Sequence, residues 1–360
     1  MDSISCYHFS SNWSFILIDF GALASVNNRV FVFITILSIT KSLFAEPSVA
    51  DIQKGIDLSL SQQYDEALAL FASMKEQFPQ HPAGAFFSAA IWQTRLMDFE
   101  TKKWEKNFYK EINQAIKSSQ SSLSKNPTDS RMLFYFGAAL GYKSFQLARN
   151  KKYIPAIQLG LQTVKKLQQA VEADSLFFDP YLGIGTYLYW RSNLTKKISW
   201  LPFFEDQRSL GIGMISQAAK NGVFSKWAAL SNLAWIYIEE KHYDRASACA
   251  LEGLEFFPDS RFFLWPLAEA QFQKGGYEQA IATFSKLLDS VQSEKENNGY
   301  NEILIQWKLA QCYYGLGDGP AARAACETLL SIHPDKEVRN RADEKKKEAE
   351  KLLEEISDSP

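Results

Sequence analysis

The sequence predicts an all-α protein, a solenoid of about seven helical hairpins followed by one further helix. Small residues recur at a fixed interval: Ala246 and Ala280 lie 34 residues apart, each three residues after a tyrosine. One helical hairpin with its two turns takes about that many residues. Another alanine stands twelve residues before each of these, at Ala234 and Ala268. Paired small side chains at this spacing indicate two helices that touch closely.

Residues 225–335 are predicted to form three regular hairpins. Pro258 and Pro334 each follow a second-helix alanine by twelve residues, where a proline would end the helix. Gln292 takes that position in the middle hairpin. The last two hairpins are separated by eight additional residues within "QSEKENNGY" (292–300), whose polar composition predicts a longer loop.

This pattern resembles the tetratricopeptide repeat family. The motif positions are occupied by Leu230, Leu233, Ala234, Tyr237, Tyr243, Ala246 and Pro258 in the fifth unit, by Leu264, Leu267, Ala268, Gly275, Tyr277, Ala280 and Phe284 in the sixth, and by Leu309, Ala310, Tyr313, Gly317, Ala322 and Pro334 in the seventh. The resemblance implies a right-handed superhelix whose concave face is lined mainly by the first helix of each hairpin.

Residues 46–224 carry four looser units of the same kind. The first is marked by Gly55, Tyr64, Ala67, Phe71 and Pro79, and the next three by the pairs Ala89 and Ala115, Gly137 and Ala170, and Gly185 and Ala219. The second unit is stretched by "RLMDFETKKWEKNFYK" (95–110), and the fourth by "RSNLTKKISWLPFFEDQR" (191–208). Both stretches predict longer helices or inserted loops.

Residues 336–360 are predicted to form a charged helix and tail. The helix has one narrow apolar stripe, consisting of Val338, Ala342, Ala349, Leu353 and Ile356. A terminal helix of this kind covers the last hairpin with one side and faces water with the others.

Residues 1–45 are interpreted as a leader with a signal peptide and are excluded from the fold. A basic flank at Arg29 precedes the apolar run "VFVFITILSI" (30–39), and the small residue Ala45 follows that run. This order is typical of secretory signals. Cleavage is expected after Ala45, or alternatively before Asp51. The other interpretation is an uncleaved membrane anchor, although the run is short for a bilayer span.

The composition argues against several functional classes. The net charge is −2, with 39 basic and 41 acidic residues, so no basic surface for nucleic acid is indicated. None of the four histidines has metal-ligand spacing, and no phosphate loop or nucleophile motif is present. No catalytic residue, metal site or cofactor is therefore predicted. Cys249, Cys312 and Cys326 have no paired spacing and are expected to be buried apolar residues.

The remaining candidate is a surface for a protein or peptide. The tetratricopeptide pattern places six aromatic residues on the concave face, and these are the predicted partner-binding residues: Trp235, Phe262, Trp265, Phe272, Trp307 and Tyr314. Aromatic side chains supply large contact areas in such grooves. The alternative is that the three tryptophans are packed by neighbouring units, because aromatic stripes at helical spacing are usually core. The basic and amide residues with which relatives hold acidic chaperone C-termini are missing here.

The sequence thus predicts an exported, non-catalytic scaffold or adaptor in the periplasm or cell envelope, with an unidentified protein or peptide partner. A second hypothesis is a membrane-attached envelope assembly factor. Its attachment would come from a retained leader or from an inserted apolar loop at Trp200–Phe204, since tryptophan favours membrane interfaces. An enzyme that uses the repeats as a substrate arm is the third class, for which no catalytic set is visible.

Overall fold

The computed structural model describes residues 46–195 and 205–358, and the regular structure in these ranges is α-helical. Its fifteen helices are α1 (Val49–Leu60), α2 (Tyr64–Gln77), α3 (Ala83–Asp98), α4 (Glu105–Leu123), α5 (Ser130–Arg149), α6 (Tyr153–Ala173), α7 (Pro180–Thr195), α8 (Arg208–Asn221), α9 (Lys226–Glu239), α10 (Tyr243–Phe256), α11 (Arg261–Lys274), α12 (Tyr277–Gln292), α13 (Tyr300–Gly315), α14 (Gly319–Ser331) and α15 (Arg339–Asp358). The predicted leader and the predicted Trp200–Phe204 loop lie outside the described residues.

Consecutive helices pair into seven hairpins, from α1 with α2 to α13 with α14. The first helices of the first six hairpins also contact one another in sequence, from α1 with α3 to α9 with α11. The terminal helix α15 packs against both α13 and α14. Side-by-side stacking of hairpins in which each contacts its neighbours is the architecture of an α-solenoid. The predicted all-α solenoid with about seven hairpins and a terminal helix is therefore confirmed.

Small residues lie where paired helices cross. In the three regular hairpins the crossing alanines have no exposed surface: Ala234, Ala246, Ala268, Ala280, Ala310 and Ala322. The fourth hairpin uses glycine instead, because a Cβ atom added to Gly185 would lie 2.5 Å from the carbonyl oxygen of Gly211. A side chain at Gly185 would therefore force α7 and α8 apart.

Helix α11 contains a proline in its second turn, which removes one backbone donor. Pro266 cannot donate to the carbonyl of Phe262, four residues earlier. The Ser231 hydroxyl on α9 donates to that carbonyl instead, at 3.3 Å. A side chain of the preceding hairpin thus satisfies the acceptor that the proline leaves free.

The N-terminal half of the array contacts the C-terminal hairpins directly through a segment that we call the clasp loop, residues 98–104. Asp98 forms a buried ion pair with Arg261, the first residue of α11, with 2.5 Å between Oδ2 and the guanidinium Nη2. The Asn298 side chain donates to the carbonyl of Phe99 at 2.8 Å, and the Asn301 side chain donates to the carbonyl of Asp98 at 2.6 Å. The two ends of this contact are separated by more than 160 residues of sequence.

The rim of the same contact is charged and more exposed. The guanidinium of Arg341 donates to the carboxylate of Glu100 at 2.8 Å, and the Thr101 hydroxyl donates to Glu337 at 2.9 Å. Lys103 pairs with Glu296. The clasp loop belongs to the stretch 95–110, and Glu296 and Asn298 belong to the stretch 292–300. Two insertions that interrupt the 34-residue period are thus bound to each other.

None of the helices in the described ranges combines the length and the apolar character that crossing a bilayer demands.

Candidate partner-binding groove

The six predicted partner-binding residues lie on the first helices of the last three hairpins. Trp235 is on α9, three of the residues are on α11 and two are on α13. On α11 and α13 the aromatic residues occupy matching positions. Trp265 and Trp307 each precede the crossing alanine by three residues, and Phe272 and Tyr314 each follow it by four. Seven residues make nearly two helical turns, so each pair lies along one face of its helix.

The six residues differ in their exposure. Trp235 and Tyr314 are exposed, with 42% and 43% of their surfaces accessible. Phe262, Trp265, Phe272 and Trp307 are half-buried. Phe262 packs against a core formed by α7–α11 and the end of α1, whereas the other three pack against the core of the last two hairpins. Each of these four has one side in the protein and one side facing outwards.

The two tryptophans at matching positions share one core. The ring of Trp265 meets Phe284 of α12 edge to face, with 6.5 Å between ring centroids. Trp307 packs on the same hydrophobic cluster. Among the described residues, no two of the six predicted side chains are in ring contact with each other. The site is therefore a row of separate aromatic surfaces, each held in place from behind.

An ion pair joins α11 to α13, and the sequence did not predict it. The Lys308 ammonium lies 2.8 Å from the Glu269 carboxylate and 4.2 Å from the ring centroid of Phe272. Gln273 also donates to Glu269, at 2.8 Å. Lys308 follows Trp307 directly, and Glu269 follows the crossing alanine of α11. The sequence signal that could have predicted this pair is the opposite charge of Lys308 and Glu269 on adjacent first helices.

This arrangement suits noncovalent binding. The aromatic surfaces offer apolar area with low conformational freedom, since ring side chains have few rotatable bonds. The Lys308–Glu269 pair fixes the spacing between the two helices and satisfies both charges locally. An extended peptide that lies across first helices would meet these surfaces in turn.

The thiols of the described cysteines have raised pKa values, which makes them poor nucleophiles. Cys312 and Cys326 are buried and Cys249 is half-buried, and none forms a disulfide. Burial raises the pKa of Cys312 to about 12 and the pKa values of Cys249 and Cys326 to about 11. In the described ranges, no group of three or more His, Cys, Asp or Glu side chains is arranged to hold a metal ion.

Comparison with known families supports the sequence pattern. Residues 305–336, which span most of α13 and all of α14, match the family model described as "Tetratricopeptide repeat". This segment contains the crossing alanines Ala310 and Ala322, and the preceding hairpins repeat its geometry. The chain therefore carries a tetratricopeptide repeat at residues 305–336. No curated protein matches it in sequence.

Several solved tetratricopeptide and related structures resemble the chain. PilW, described as a widely conserved type IV pilus biogenesis factor, is 16% identical with a TM-score of 0.45, over 68% of this chain and 92% of PilW. A thermophilic tetratricopeptide protein of Thermus thermophilus is 18% identical with a TM-score of 0.39, over 61% and 97% of the two chains. The C-terminal part of a repeat protein from Cytophaga hutchinsonii is 19% identical with a TM-score of 0.43, over 82% and 98%. At these values the likenesses do not extend to partners or activity.

Proposed function

We propose that this protein belongs to the tetratricopeptide repeat family and is a non-catalytic scaffold or adaptor that binds a protein or peptide through the aromatic face of α9, α11 and α13. The observation that carries the proposal is the matching placement of Trp265 with Trp307 and of Phe272 with Tyr314. Equivalent aromatic side chains on successive first helices give a periodic surface. Such a surface fits an extended polypeptide, which also repeats its side chains at regular intervals.

The half-buried state of Trp265 and Trp307 is compatible with binding hot spots. Hot-spot residues are usually aromatic, lie in well-packed surroundings and lose water when the partner arrives. Trp235 and Tyr314, which are more exposed, would form the edges of the contact. The competing interpretation is that the tryptophans only stabilise the core of the last hairpins.

Photocrosslinking in the producing cells would test the location of the binding surface. The photoreactive residue p-benzoylphenylalanine replaces Tyr314 or, as a control, the exposed Phe256 on the second helix α10. The proposal expects a specific protein adduct from position 314 and none from position 256. Adducts of equal yield from both positions would contradict it.

Tryptophan truncation separates a binding role from a core role. We expect Trp265→Ala and Trp307→Ala each to weaken the adduct at position 314 by tenfold or more, because hot-spot truncations cost about 2 kcal/mol or more. Thermal unfolding of the same variants is measured in parallel. A melting temperature lowered by many degrees, with the adduct retained in the folded fraction, would assign both tryptophans to the core.

Export is the second part of the proposal. The apolar run 30–39 and the small residue Ala45 support a cleaved signal peptide, which places the mature protein in the periplasm or cell envelope. N-terminal sequencing of the native protein should give Glu46 or, alternatively, Asp51 as the first residue. A mature chain that still carries residues 30–45 and sediments with membranes would favour the membrane-attached assembly factor.

A further inference from the structure

The third hairpin, formed by α5 and α6, differs in charge from the rest of the chain. Residues 130–171 contain seven Lys and Arg residues and no Asp or Glu, whereas the whole chain has 39 basic and 41 acidic residues. Two of the seven are paired with acids elsewhere: Arg131 with Glu46, and Arg149 with Glu100. The hairpin, whose one acidic side chain is Glu172 near the end of α6, is thus a basic block in a chain with a net charge of −2.

Three lysines of this block are free to face another molecule. Lys151 and Lys152 precede α6, and Lys165 lies three turns into it. All three are exposed, and none forms an ion pair with a described residue. Two of the three ammonium groups thus lie before the first turn of α6, and the third lies after its third turn.

The apolar residues between these lysines face outwards. Ile154, Ile157 and Leu161 are 74%, 64% and 55% exposed, and Tyr153 is 60% exposed. The spacing of three and four residues places the three aliphatic side chains on one face of α6. We call these four residues with Lys151, Lys152 and Lys165 the α6 ridge.

The α6 ridge points away from the solenoid. The opposite face of the helix carries Ala156, Leu167 and Ala170, which are buried. Helix α6 packs against α5 and α7. Since α6 is the second helix of its hairpin, it lies apart from the first helices that carry the aromatic face. The ridge is a projecting surface rather than a groove into which a peptide could settle.

We propose that the α6 ridge binds the surface of an anionic lipid bilayer. Helices that lie at a membrane interface have exposed aliphatic and aromatic side chains that enter the boundary between headgroups and acyl chains, with lysines directed at the phosphates. The α6 ridge has exposed apolar side chains with lysines on either side of them. Because the ridge projects, it can contact the broad surface of a bilayer. Each lysine near an anionic membrane adds several-fold to the affinity. This lipid contact is separate from the aromatic face and would hold the scaffold at the membrane while that face binds its partner.

Site-specific crosslinking to lipid tests the proposal without depending on any other attachment point of the full chain. The photoreactive residue p-benzoylphenylalanine replaces Ile157 in one variant. In a control variant it replaces Leu251, which is also an exposed aliphatic residue on a second helix but lies beside Glu252 and Glu255. Each full-length variant is irradiated with phosphatidylglycerol vesicles and with phosphatidylcholine vesicles, and lipid adducts are measured by mass spectrometry.

The expected result is a lipid adduct at position 157 with phosphatidylglycerol, several-fold above that with phosphatidylcholine and above that at position 251. In the same labelled chain, Lys151→Glu with Lys152→Glu should lower the adduct about tenfold or more. Circular dichroism should show an unchanged fold, because both lysines are exposed. Equal lipid adducts at positions 157 and 251 would overturn the proposal, as would no dependence on lipid charge. An adduct at position 157 with this chain or a second copy, instead of with lipid, would also overturn it.

Discussion

Ala280 and its crossing partner Ala268 have no exposed surface, as expected where α11 and α12 pack directly against each other. A methyl group is the largest side chain that such a crossing accepts without displacing a helix. The recurrence of alanine at these positions is therefore a packing requirement, repeated in each of the three regular hairpins.

Enlarging Ala280 should destabilise the protein. We expect Ala280→Leu to lower the free energy of unfolding by about 1–3 kcal/mol, since an overpacked core must move side chains or backbone. Ala282, two residues later on the same helix, is exposed and provides the control. Thermal and denaturant unfolding of Ala280→Leu and Ala282→Leu should show a loss only in the first. Equal stability of the two variants would contradict this placement of the crossing.

Single residues also mark the limit of sequence-based prediction. The crossing alanines were predictable because they repeat along the chain and because a hairpin needs them at fixed spacing. The Asp98–Arg261 pair was not, since an ion pair between residues 163 positions apart leaves no periodic trace. For the aromatic face, the sequence indicated which helices carry the six residues. It could not give their exposure, because that depends on contacts with α12 and with neighbouring cores.

At the level of elements, α11 depends on a side chain from another hairpin. Pro266 leaves the Phe262 carbonyl without its helical donor, and Ser231 of α9 supplies the replacement. The bond fixes the register between α9 and α11, and α11 carries three of the six predicted binding residues.

A double-mutant cycle would measure this dependence. We expect Ser231→Ala to cost about 1 kcal/mol, since a buried carbonyl loses its partner. In a Pro266→Ala background the backbone N–H returns and can donate to Phe262, so the same substitution should cost less there. Denaturant unfolding of the wild type, both single variants and the double variant gives the coupling energy. Identical costs of Ser231→Ala in both backgrounds would show that the two groups act independently.

The clasp loop is the second element whose energetics can be tested. Asp98→Ala leaves the guanidinium of Arg261 buried with one carboxylate fewer, although Glu294 remains 2.8 Å away. Breaking a buried pair from one side costs about 3 kcal/mol or more, whereas an exposed pair contributes about 0–1 kcal/mol. The exposed Lys274–Asp244 pair provides the control through Asp244→Ala. A loss for Asp98→Ala no greater than that of the control would show that the clasp does not stabilise the fold.

For the whole molecule, the clasp changes how the hairpins cooperate. In an open solenoid each hairpin contacts its neighbours alone, so stability is close to a sum of local contributions. Here the second hairpin is also bound to the sixth and seventh hairpins and, through Glu100 and Arg341, to α15. The two halves are therefore energetically linked at two places, through the middle hairpins and through the clasp.

Calorimetry should detect this linkage. We expect the wild-type protein to unfold in one sharp transition and the Asp98→Ala variant to unfold in a broader or split one, because one of the two links is weakened. Hydrogen exchange would show which helices open first in the variant. Transitions of equal sharpness in both proteins would indicate that the middle hairpins alone couple the halves.

The clasp also sets an order of events during synthesis. The hairpins can form and stack as they leave the ribosome, because their contacts are local in sequence. Asp98, however, cannot pair with Arg261 until that residue has been synthesised, and the carbonyl of Phe99 likewise cannot accept from Asn298 until Asn298 has been synthesised. The nascent protein thus passes through a stage in which its N-terminal hairpins are stacked while the Asp98 carboxylate still lacks its arginine and two backbone carbonyls still lack their donors. Closing the clasp is the step that completes the protein, and it can take place only after the seventh hairpin has begun to emerge.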